Sequence, residues 1–401
     1  MRILYVTPTF PPDNGWGGIG TYVHHITQGL LKNGHTPIVL CVVQKGMEKK
    51  RYLRDDGVLV LSLLSSHDEQ LIREEVLYYV AELYQNNQFD IVEFPEYGAP
   101  GLLFQKAFPE CKTVIRLHGD SLMALDGNRS SLTKFLKKFD MRKLQKTKLN
   151  YEIETIKLAK LITAPTNWTI KMSQNRGWIY EGQNCIVIAN PISRISGFLE
   201  RITCESEPLT IIFFGRLDYR KGADLIPKII RTIHLKYPNI EYKIIGQSGY
   251  IKNTFGIFKK KLYSEWIKSS LSESELSKVN IVGGKTLSDI VPILPKNGIA
   301  CFQSTWETFG YTHVEMMYCG YPTVIASGGG AQELGIDKCN ALFCKRNPKQ
   351  IVKAIFMLIE NRKMRIGIGE AARSYVLNEF SAEKVSAKMV HDVYYKNFNY
   401  K

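Results

Sequence analysis

Short runs of apolar, β-branched residues alternate with longer stretches of helical periodicity along this chain, and the alternation occurs twice. The first series begins at Ile3 and the second at Thr210, just after Pro208. Strands that alternate with helices favour a parallel sheet covered by helices on both faces. A chain of 401 residues is long enough for two or three domains. The sequence therefore predicts an α/β protein with two doubly wound parallel sheets in tandem.

The predicted elements are those whose apolar residues have the period of a strand or of a helix. The strands of the first series are Ile3–Val6, Pro37–Val43, Val58–Leu63, Ile91–Phe94, Thr113–Leu117, Leu161–Ala164 and Cys185–Ile188. The helices between them are Thr21–Asn33, Leu71–Asn86, Gly101–Ala107 and Asn150–Lys160. The strands of the second series are Thr210–Phe214, Tyr242–Ile245, Val279–Val282, Ile299–Phe302 and Pro322–Ala326.

The domain boundaries follow from the places where this alternation stops. A polar stretch bounded by Pro191 and Pro208 separates the two series and is typical of a linker. A last helical pattern with one apolar face follows the second series, over Ala382–Phe398. The predicted parts are a first domain over 1–190, a linker over 191–208, a second domain over 209–378 and a C-terminal helix over 379–401.

The chain is strongly basic, with a formal net charge of +15, which indicates an anionic partner such as lipid headgroups or nucleic acid. The segment Lys134–Lys148 holds seven Lys or Arg residues against one acid, Asp140, with apolar residues at helical spacing. This pattern is typical of a basic amphipathic helix on a membrane. A second basic stretch at Lys259–Lys261 has the same character. A solvated helix face over a core stripe explains both equally well.

The cysteines, the apolar runs and the first residues of the sequence indicate where the protein is located. The eight Cys residues are predicted to be buried, reduced thiols, because they lack the spacing of a zinc site. The sequence has no run close to the ~20 apolar residues of a membrane span. Residues 1–8 enter a strand pattern directly and lack the layout of a signal peptide. We therefore expect a cytoplasmic protein, with a peripheral position on the inner membrane face if the basic stretches bind lipid.

Glycines cluster after the first predicted strand, in Pro11–Gly20. Ligands of open parallel sheets bind beyond the carboxyl ends of the strands. Gly17 and Gly18 would let the backbone approach a ligand at the start of the following helix. The loop lacks the spacing of the dinucleotide-binding fingerprint. A glycine-rich turn without a ligand is the alternative.

Two cations follow the first strand of the second series, in Phe214–Gly222. Arg216 and Lys221 are five residues apart and lie just past a buried strand. Together they can neutralise a diphosphate, Arg through its planar fork and Lys as a point charge. Taken alone, the segment is equally consistent with a surface loop.

Two carboxylates, Glu307 and Glu315, lie farther along with seven residues between them. Phe309-Gly310 is predicted to turn the chain into a helix, with Glu307 in the turn and Glu315 on the helix. Backbone N–H groups at such a helix start favour anions, and the carboxylates can hold sugar hydroxyls. An isolated pair of this kind is more often a solvated loop and helix face. Its coincidence with the two cations after strands of one sheet favours a functional site.

Taken together, these motifs resemble those of retaining, family 4 type glycosyltransferases of the GT-B architecture, over nearly the whole length. The resemblance rests on the glycines near Gly17, the Gly215–Gly222 element and the Glu307–Glu315 element. It is supported by Ser327–Leu334, which is similar to the family's glycine-rich loop and Glu after a late strand. The family fold implies two Rossmann-like domains facing a cleft, with the C-terminal helix crossing back onto the first.

The resemblance also implies roles for residues of the second domain. Arg216 and Lys221 would bind the donor diphosphate and stabilise it as it leaves, so no metal is expected. Glu307 would contact the donor sugar, and Glu315 would accept hydrogen bonds from the ribose hydroxyls. The N–H groups around Phe309 and Gly310 would hold sugar or phosphate. Developing charge on the leaving phosphate would be the main feature that the enzyme stabilises.

For the first domain, the resemblance implies that Gly17 and Gly18 approach the diphosphate and that His118 lies near the donor sugar. Glu93 and Glu96 end a predicted strand, and Asp120 follows the next one. We expect these three carboxylates to bind the acceptor, or else to be solvated at the strand ends.

Several hypotheses remain open from the sequence. The leading one is a transferase that takes a sugar from a nucleotide-sugar, with UDP expected over GDP or ADP, to a membrane-bound glycan intermediate in polysaccharide assembly. A second keeps the fold but assigns a soluble small-molecule or protein acceptor. A third is a nucleic-acid-binding protein, which is disfavoured because no recognised nucleic-acid module is present. A fourth is an inactive scaffold protein, which the presence of Arg216, Lys221, Glu307 and Glu315 disfavours.

Overall fold

The computed structural model describes residues 1–12, 15, 17–43, 50–64, 68–127, 143–195, 207–252, 258–285 and 287–398. These residues form two compact units. The first unit contains described residues of Met1–Ala124, Asp140–Arg194 and Glu379–Lys401, and the second contains those of Leu125–Phe139 and Ile195–Asn378. Each unit is built around its own sheet, which confirms the predicted pair of α/β domains.

The first unit is built on an eight-stranded sheet in the order β3-β4-β2-β1-β5-β6-β7-β8. Strand β3 pairs antiparallel with β4, and the other neighbours pair parallel. The strands are β1 (Arg2–Thr7), β2 (Thr36–Val43), β3 (Lys50–Leu53), β4 (Leu59–Leu64), β5 (Ile91–Pro95), β6 (Thr113–Arg116), β7 (Ile162–Ala164) and β8 (Cys185–Val187).

Helices connect these strands and cover the sheet, as the crossover rule for parallel strands requires. The core between them is dense and apolar, with Leu4, Val80, Phe94 and Phe104 fully buried. The helices are α1 (Gly18–Lys32), α2 (Glu69–Gln85), α3 (Leu102–Ala107), α4 (Ser121–Gly127), α5 (Lys143–Leu158) and α6 (Asn167–Asn175).

The C-terminal segment packs back on the first unit, as predicted. It runs through α14 (Ala382–Lys388), a π-helical stretch (Met389–Tyr395) and a last turn, α15 (Lys396–Phe398). Its predicted apolar face is buried, and the Tyr394 hydroxyl lies 2.9 Å from that of Tyr5 in β1. Gly29 of α1 marks the tightest point of this contact, because a Cβ there would collide with the Ala382 carbonyl.

The second unit is built on a six-stranded parallel sheet in the order β13-β10-β9-β14-β15-β16. Its strands also agree with the predicted ones, apart from one that the sequence did not indicate, Leu342–Phe343. They are β9 (Thr210–Phe214), β10 (Glu241–Ile245), β13 (Val279–Ile281), β14 (Gly298–Phe302), β15 (Thr323–Ile325) and β16 (Leu342–Phe343).

Helices cover the second sheet in the same way, over a core that includes Ile211, Ile229, Ile230 and Ile355. The α-helices are α7 (Ile226–Lys236), α8 (Tyr263–Ser269), α9 (Glu273–Leu276), α10 (Leu287–Ile290), α11 (Tyr311–Tyr318), α12 (Pro348–Glu360) and α13 (Arg362–Glu379). Short 3₁₀ turns are present at Ala223–Leu225, Val291–Ile293 and Gly330–Glu333.

The basic stretch at Lys259–Lys261 corrects a prediction. It is part of a strand, β12 (Phe258–Leu262), which pairs antiparallel with β11 (Tyr250–Lys252) rather than forming an amphipathic helix. A helix this short is marginal by itself, so pairing with β11 satisfies the backbone better.

Parts of two other predictions lie outside the described residues. The basic segment Lys134–Lys148 is described from residue 143 onward, and there the Lys148 ammonium lies 2.8 Å from a Glu69 carboxylate oxygen. Residues 196–206 of the predicted linker are likewise not described. None of the described helices is long and apolar enough to cross a membrane.

The cysteines agree only partly with the prediction of buried thiols. Cys41, Cys111, Cys301 and Cys319 are buried, whereas Cys339 is exposed. Cys339 lies in the turn before β16, where the chain returns to the surface.

The contact at Gly29 predicts a selective effect on stability. Gly29→Ala should force α1 away from α14 and cost about 1–3 kcal/mol, as overpacking of a tight contact does. Thermal unfolding followed by circular dichroism measures the loss. Gly367→Ala in α13 is the matched control, because a Cβ there meets no atom within 4 Å. That variant should gain about 0.5–1 kcal/mol from helix propensity. Equal midpoints for the two variants would contradict the packing argument.

Candidate active site

The candidate site of the second unit lies where its strand order reverses. Strand β9 pairs with β10 on one side and with β14 on the other. The loops after β9 and β14 therefore leave the same edge of the sheet side by side. This is the topological switch point at which open α/β sheets bind ligands. The two loops, Gly215–Gly222 and Gln303–Gly310, hold the predicted cations and carboxylates.

Glu307 is fixed in this edge by its own backbone. Its N–H donates to the Gly328 carbonyl at 3.0 Å, and its carbonyl accepts the Gly330 N–H at 2.7 Å. The loop after β14 is thus hydrogen-bonded to the glycine-rich loop after β15. The side chain is left pointing toward the loop after β9, where it is buried, with 8% of its area exposed.

Two cations meet the Glu307 carboxylate. The Lys221 ammonium lies 2.6 Å from Oε1, and Nη1 of Arg220 lies 3.0 Å from Oε2. Burial alone raises the pKa of Glu307, but the charges of Arg220 and Lys221 outweigh burial and hold that pKa well below its usual range. Glu307 is therefore ionised at neutral pH. We call Arg220, Lys221 and Glu307 the Glu307 cluster.

Arg220 is the functional candidate that the sequence reasoning missed. The predicted cation pair was Arg216 and Lys221, but Arg216 does not reach the carboxylate. Its guanidinium is 61% exposed and lies 3.1 Å from Asp218. The missed signal was the Arg-Lys dipeptide itself: two adjacent cations followed by a turn can both face one carboxylate.

Gly310 turns the chain into α11, as predicted. It has a left-handed φ of 100°, and a Cβ there would lie 2.7 Å from Nδ1 of His313. A glycine is the residue that this conformation and this space allow. Phe309 is buried next to it. The N-terminal N–H groups of α11 begin beside the Glu307 cluster and provide a place for an anion.

His313 is a second residue that sequence reasoning missed. Its ring is fully buried, stacks on Phe302 at 4.1 Å and places Nε2 2.9 Å from the Ser327 hydroxyl. Burial lowers the pKa of His313 to about 3, so the ring is neutral. The Ser327 hydroxyl also accepts the Ser304 N–H at 3.0 Å. His313 thus packs against the Phe309-Gly310 turn and connects it, through Ser327, to the loops after β14 and β15.

Glu315 lies on α11, one turn beyond the Phe309-Gly310 turn, as predicted. Its carboxylate makes no hydrogen bond with any of the described residues, and it is partly exposed. Burial raises the pKa of Glu315 to about 7, although the charge of Lys221 opposes the shift. A half-buried carboxylate without a partner is suited to accept hydrogen bonds from a ligand.

The predicted glycines of the first unit lie at the start of α1. Gly17 is its N-cap and Gly18 its first residue, and both are exposed. Asp13, Asn14 and Trp16 of the same loop lie outside the described residues. The loop follows β1, which is the strand at the switch point of the first sheet, between β2 and β5.

His118 follows β6 in a loop that Glu96 holds in place. The Glu96 carboxylate accepts the His118 N–H at 2.8 Å and the Gly119 N–H at 2.6 Å. The His118 ring packs edge-on against Tyr22. Burial, aided by the charge of Arg116, lowers the pKa of His118 well below its usual range, so the ring is neutral.

The three predicted acceptor carboxylates are all buried inside the first unit. Both oxygens of Glu96 are used by backbone N–H groups, and burial raises its pKa to about 8. Asp120 caps α4 through the Met123 N–H and lies 2.9 Å from Arg176. These two carboxylates have structural roles that need no acceptor.

Glu93 is buried beside Arg116, which is itself fully buried under the Tyr22 ring. Burial raises the pKa of Glu93 to about 7, although Arg116 opposes the shift. Arg116 donates through Nη2 to the Ile188 carbonyl and to Asn190, both at 2.7 Å. In the described conformation Glu93 therefore belongs to the interior and not to an acceptor surface.

Among the described residues, no group of three or more His, Cys, Asp or Glu side chains is arranged to hold a metal ion. The charge compensation that the site offers comes from Lys and Arg.

Comparison with known proteins agrees with this geometry. The family model described as Glycosyltransferase Family 4 matches residues 16–194, and that described as Glycosyl transferases group 1 matches residues 200–375. An uncharacterized glycosyltransferase of Methanocaldococcus jannaschii is 28% identical over 174 residues, which are 43% of this chain and 44% of that protein. The match thus spans about half the length of the first curated relatives.

Solved structures share the fold over nearly the whole chain. Sucrose-phosphate synthase from Thermosynechococcus elongatus matches with a TM-score of 0.76 at 16% identity, covering 99% of both chains. The Anabaena protein HepE in complex with UDP-glucose matches with a TM-score of 0.68 at 16% identity, covering 98% of this chain and 99% of that one. With one family model on each half and this shared fold, the chain belongs to the glycosyl transferases group 1, with a family 4 type first half, and it has the GT-B architecture.

Proposed function

We propose that this glycosyltransferase takes a sugar from a UDP-sugar donor and transfers it, with retention of configuration and without a metal, to a lipid-linked glycan. The observation that carries the donor part is the Glu307 cluster at the switch point of the second sheet. It brings two cations, a carboxylate and the N-terminus of α11 to one edge.

The diphosphate is proposed to bind at Lys221, Arg216 and the N–H groups that follow Gly310. Arg216 lies in the loop that also carries Lys221. Its guanidinium is exposed and can therefore contact a ligand. Charge-assisted hydrogen bonds from such groups are about twice as strong as neutral ones. The same cations stabilise the diphosphate as the bond between sugar C1 and the phosphate oxygen breaks.

Glu315 is proposed to accept hydrogen bonds from the ribose hydroxyls, and Glu307 from hydroxyls of the transferred sugar. Glu315 supports its part in this proposal because its carboxylate is hydrogen-bonded to none of the described residues. For Glu307, the rigid backbone pairing with Gly328 and Gly330 fixes where the carboxylate stands. From the family resemblance we propose that Gly17, Gly18 and His118 of the first unit also take part in donor binding.

Retention is proposed through attack on the face that the diphosphate leaves. The leaving phosphate then takes the proton of the acceptor hydroxyl, so that no enzyme carboxylate becomes bonded to the sugar. The ionised state of Glu307 and its pair with Arg220 support this proposal, because a carboxylate that is paired with a cation is a poor nucleophile.

The choice of UDP is supported by the HepE complex, which holds UDP-glucose in a chain of the same fold. The lipid-linked acceptor is supported by the net charge of +15 and by the seven basic residues of Lys134–Lys148. A peripheral position on an anionic inner membrane face, and a role in polysaccharide assembly, follow as parts of the same proposal.

The donor site predicts nucleotide binding without metal. In EDTA, UDP at 100 times its dissociation constant should stabilise the fold by about 2.7 kcal/mol. A thermal-shift panel of UDP, GDP and ADP measures this as a rise in unfolding temperature. Lys221→Ala should lose most of the rise, whereas Lys228→Ala, an exposed lysine on α7, should keep it. A panel without any shift, or one that Lys221→Ala leaves unchanged, would contradict the donor site.

Glu315 predicts a pH dependence of donor affinity. Because its pKa is raised to about 7, the Glu315 carboxyl must lose a proton before it can accept hydrogen bonds from both ribose hydroxyls. UDP affinity should therefore rise by up to about tenfold per pH unit below pH 7 and level off above it. Calorimetric titrations at pH 6, 7 and 8 test this. Glu315→Gln should remove the contribution of the protein to this pH dependence. The pH dependence that remains would come from the ionisation of UDP itself. Identical pH profiles would show that Glu315 does not contact the ribose.

The acceptor proposal predicts binding to anionic membranes. Each basic residue near such a surface contributes about 1 kcal/mol. Changing Lys134, Lys137, Lys138 and Arg142 to Gln should therefore weaken flotation with phosphatidylglycerol vesicles at low salt by about 100-fold or more. The matched control changes the exposed Lys345, Lys349, Lys353 and Lys363 of the second unit. Wild-type protein that stays unbound at low salt would favour a soluble acceptor instead.

A further inference from the structure

We propose that Arg220 is a positioning residue that keeps Glu307 paired while Lys221 turns away to the diphosphate of the donor. This inference rests on the proposed function, because it assumes that a diphosphate binds at Lys221. It assigns different tasks to two adjacent cations that contact the same carboxylate.

The charges of the Glu307 cluster provide the first argument. One carboxylate is matched by two cations, at 2.6 Å and 3.0 Å, so the cluster carries one positive charge in excess. Either cation alone would neutralise Glu307. The second cation is therefore available to an anion, provided that the first stays in place.

Arg220 is the cation that is anchored. Its Nη1 reaches both Glu307 and the Trp306 carbonyl, at 3.0 and 3.5 Å, and its guanidinium lies over the Trp306 ring at 5.5 Å. Its backbone carbonyl accepts the Thr305 N–H at 2.7 Å and the Thr305 hydroxyl at 3.3 Å. The guanidinium and the backbone of Arg220 are thus both attached to the loop after β14. These contacts, rather than burial, distinguish Arg220 from Lys221, because 15% of each side chain is exposed.

Lys221 is the cation that can move. Among the described residues, the one hydrogen bond of its ammonium is to Glu307. Its backbone N–H is held separately by Asp218 at 2.8 Å, so the side chain can turn without disturbing the loop. The four-carbon stem and the compact ammonium suit such a change of partner. The charge of the Lys221 ammonium also acts on Glu315, the other carboxylate of the candidate site.

Arg220 prevents Glu307 from competing with the diphosphate for Lys221. A buried carboxylate must keep a partner, because an unpaired buried charge is strongly destabilising. Without Arg220, Glu307 would hold Lys221, and a diphosphate would have to break that pair. With Arg220 present, Lys221 changes partner while Glu307 remains compensated.

A double-mutant cycle on ligand affinity tests this. UDP and inorganic pyrophosphate are titrated calorimetrically in EDTA against the full chain. Arg220→Gln should weaken the binding of both by about tenfold or more, which corresponds to about 1.4 kcal/mol. Adding Glu307→Gln should restore affinity to within about threefold of wild type, because the competing carboxylate is gone. A residue that merely maintains the fold would not be rescued in this way.

Controls separate the possible failures. Arg231→Gln removes an arginine of α7 that pairs with Glu275 of α9, outside the site, and this variant should bind UDP like wild type. Arg220→Lys keeps the positive charge but lacks the planar guanidinium, so it should lose less affinity than Arg220→Gln. It replaces Arg220→Gln in the test if that variant fails to fold.

The outcomes are distinguishable. Wild-type affinity in Arg220→Gln, or weak binding that Glu307→Gln does not rescue, would overturn the positioning role while leaving the donor site intact. A wild-type chain that binds neither UDP nor pyrophosphate would overturn the proposed function, and the role of Arg220 with it.

Discussion

The pairing of the buried Glu307 carboxylate with Arg220 and Lys221 is the interaction on which the rest of the candidate site depends. Removing one partner of a buried ion pair costs about 3–5 kcal/mol in typical proteins, so a carboxylate in this position dictates what surrounds it. The loop after β9 must present cations at this point, and the loop after β14 must present the carboxylate. Backbone pairing with Gly328 and Gly330 then fixes the third loop. Three separate connections of the sheet become one rigid edge.

The position of the cluster follows from sheet topology rather than from any single motif. Because β9 and β14 are neighbours whose connections run to opposite sides, their loops diverge and leave a depression at the sheet edge. The first unit repeats this relation between β1 and β5, from which the glycine-rich loop and the Glu93–Glu96 segment emerge. The same arrangement of strands thus accounts for the placement of functional candidates in both halves of the sequence.

How much the sequence could predict depended on whether a signal was local or tertiary. Strand and helix periodicity is local, and it located most elements of both sheets. The Phe309-Gly310 turn was also readable, since a glycine before an apolar helical run favours such a start. The pairing of β11 with β12 was not readable, because the two strands are only three and five residues long and their sequences, YIK and FKKKL, do not alternate between apolar and polar residues.

Buried polar residues were the least predictable. In the sequence, Glu96 and Asp120 look like strand-end carboxylates available to a ligand, whereas in the fold they bind backbone N–H groups and Arg176. His313 carried no local signal, and the Arg-Lys dipeptide did not reveal which carboxylate Arg220 contacts, because both residues act on side chains more than ten residues away. Such partnerships exist only after the strands have paired, so periodicity cannot reveal them.

The return of the C-terminal segment to the first unit has a consequence for biosynthesis. The face of α1 around Gly29, made early in translation, finds its partner only when Ala382 and its successors leave the ribosome. Until then, a nascent first unit carries an uncovered apolar surface while the whole second unit is being made. The second unit has all strands of its sheet within residues 210–343 and can close first. The order of folding would then be the reverse of the order of synthesis, and a variant without residues 382–398 would keep that surface open to chaperones and proteases.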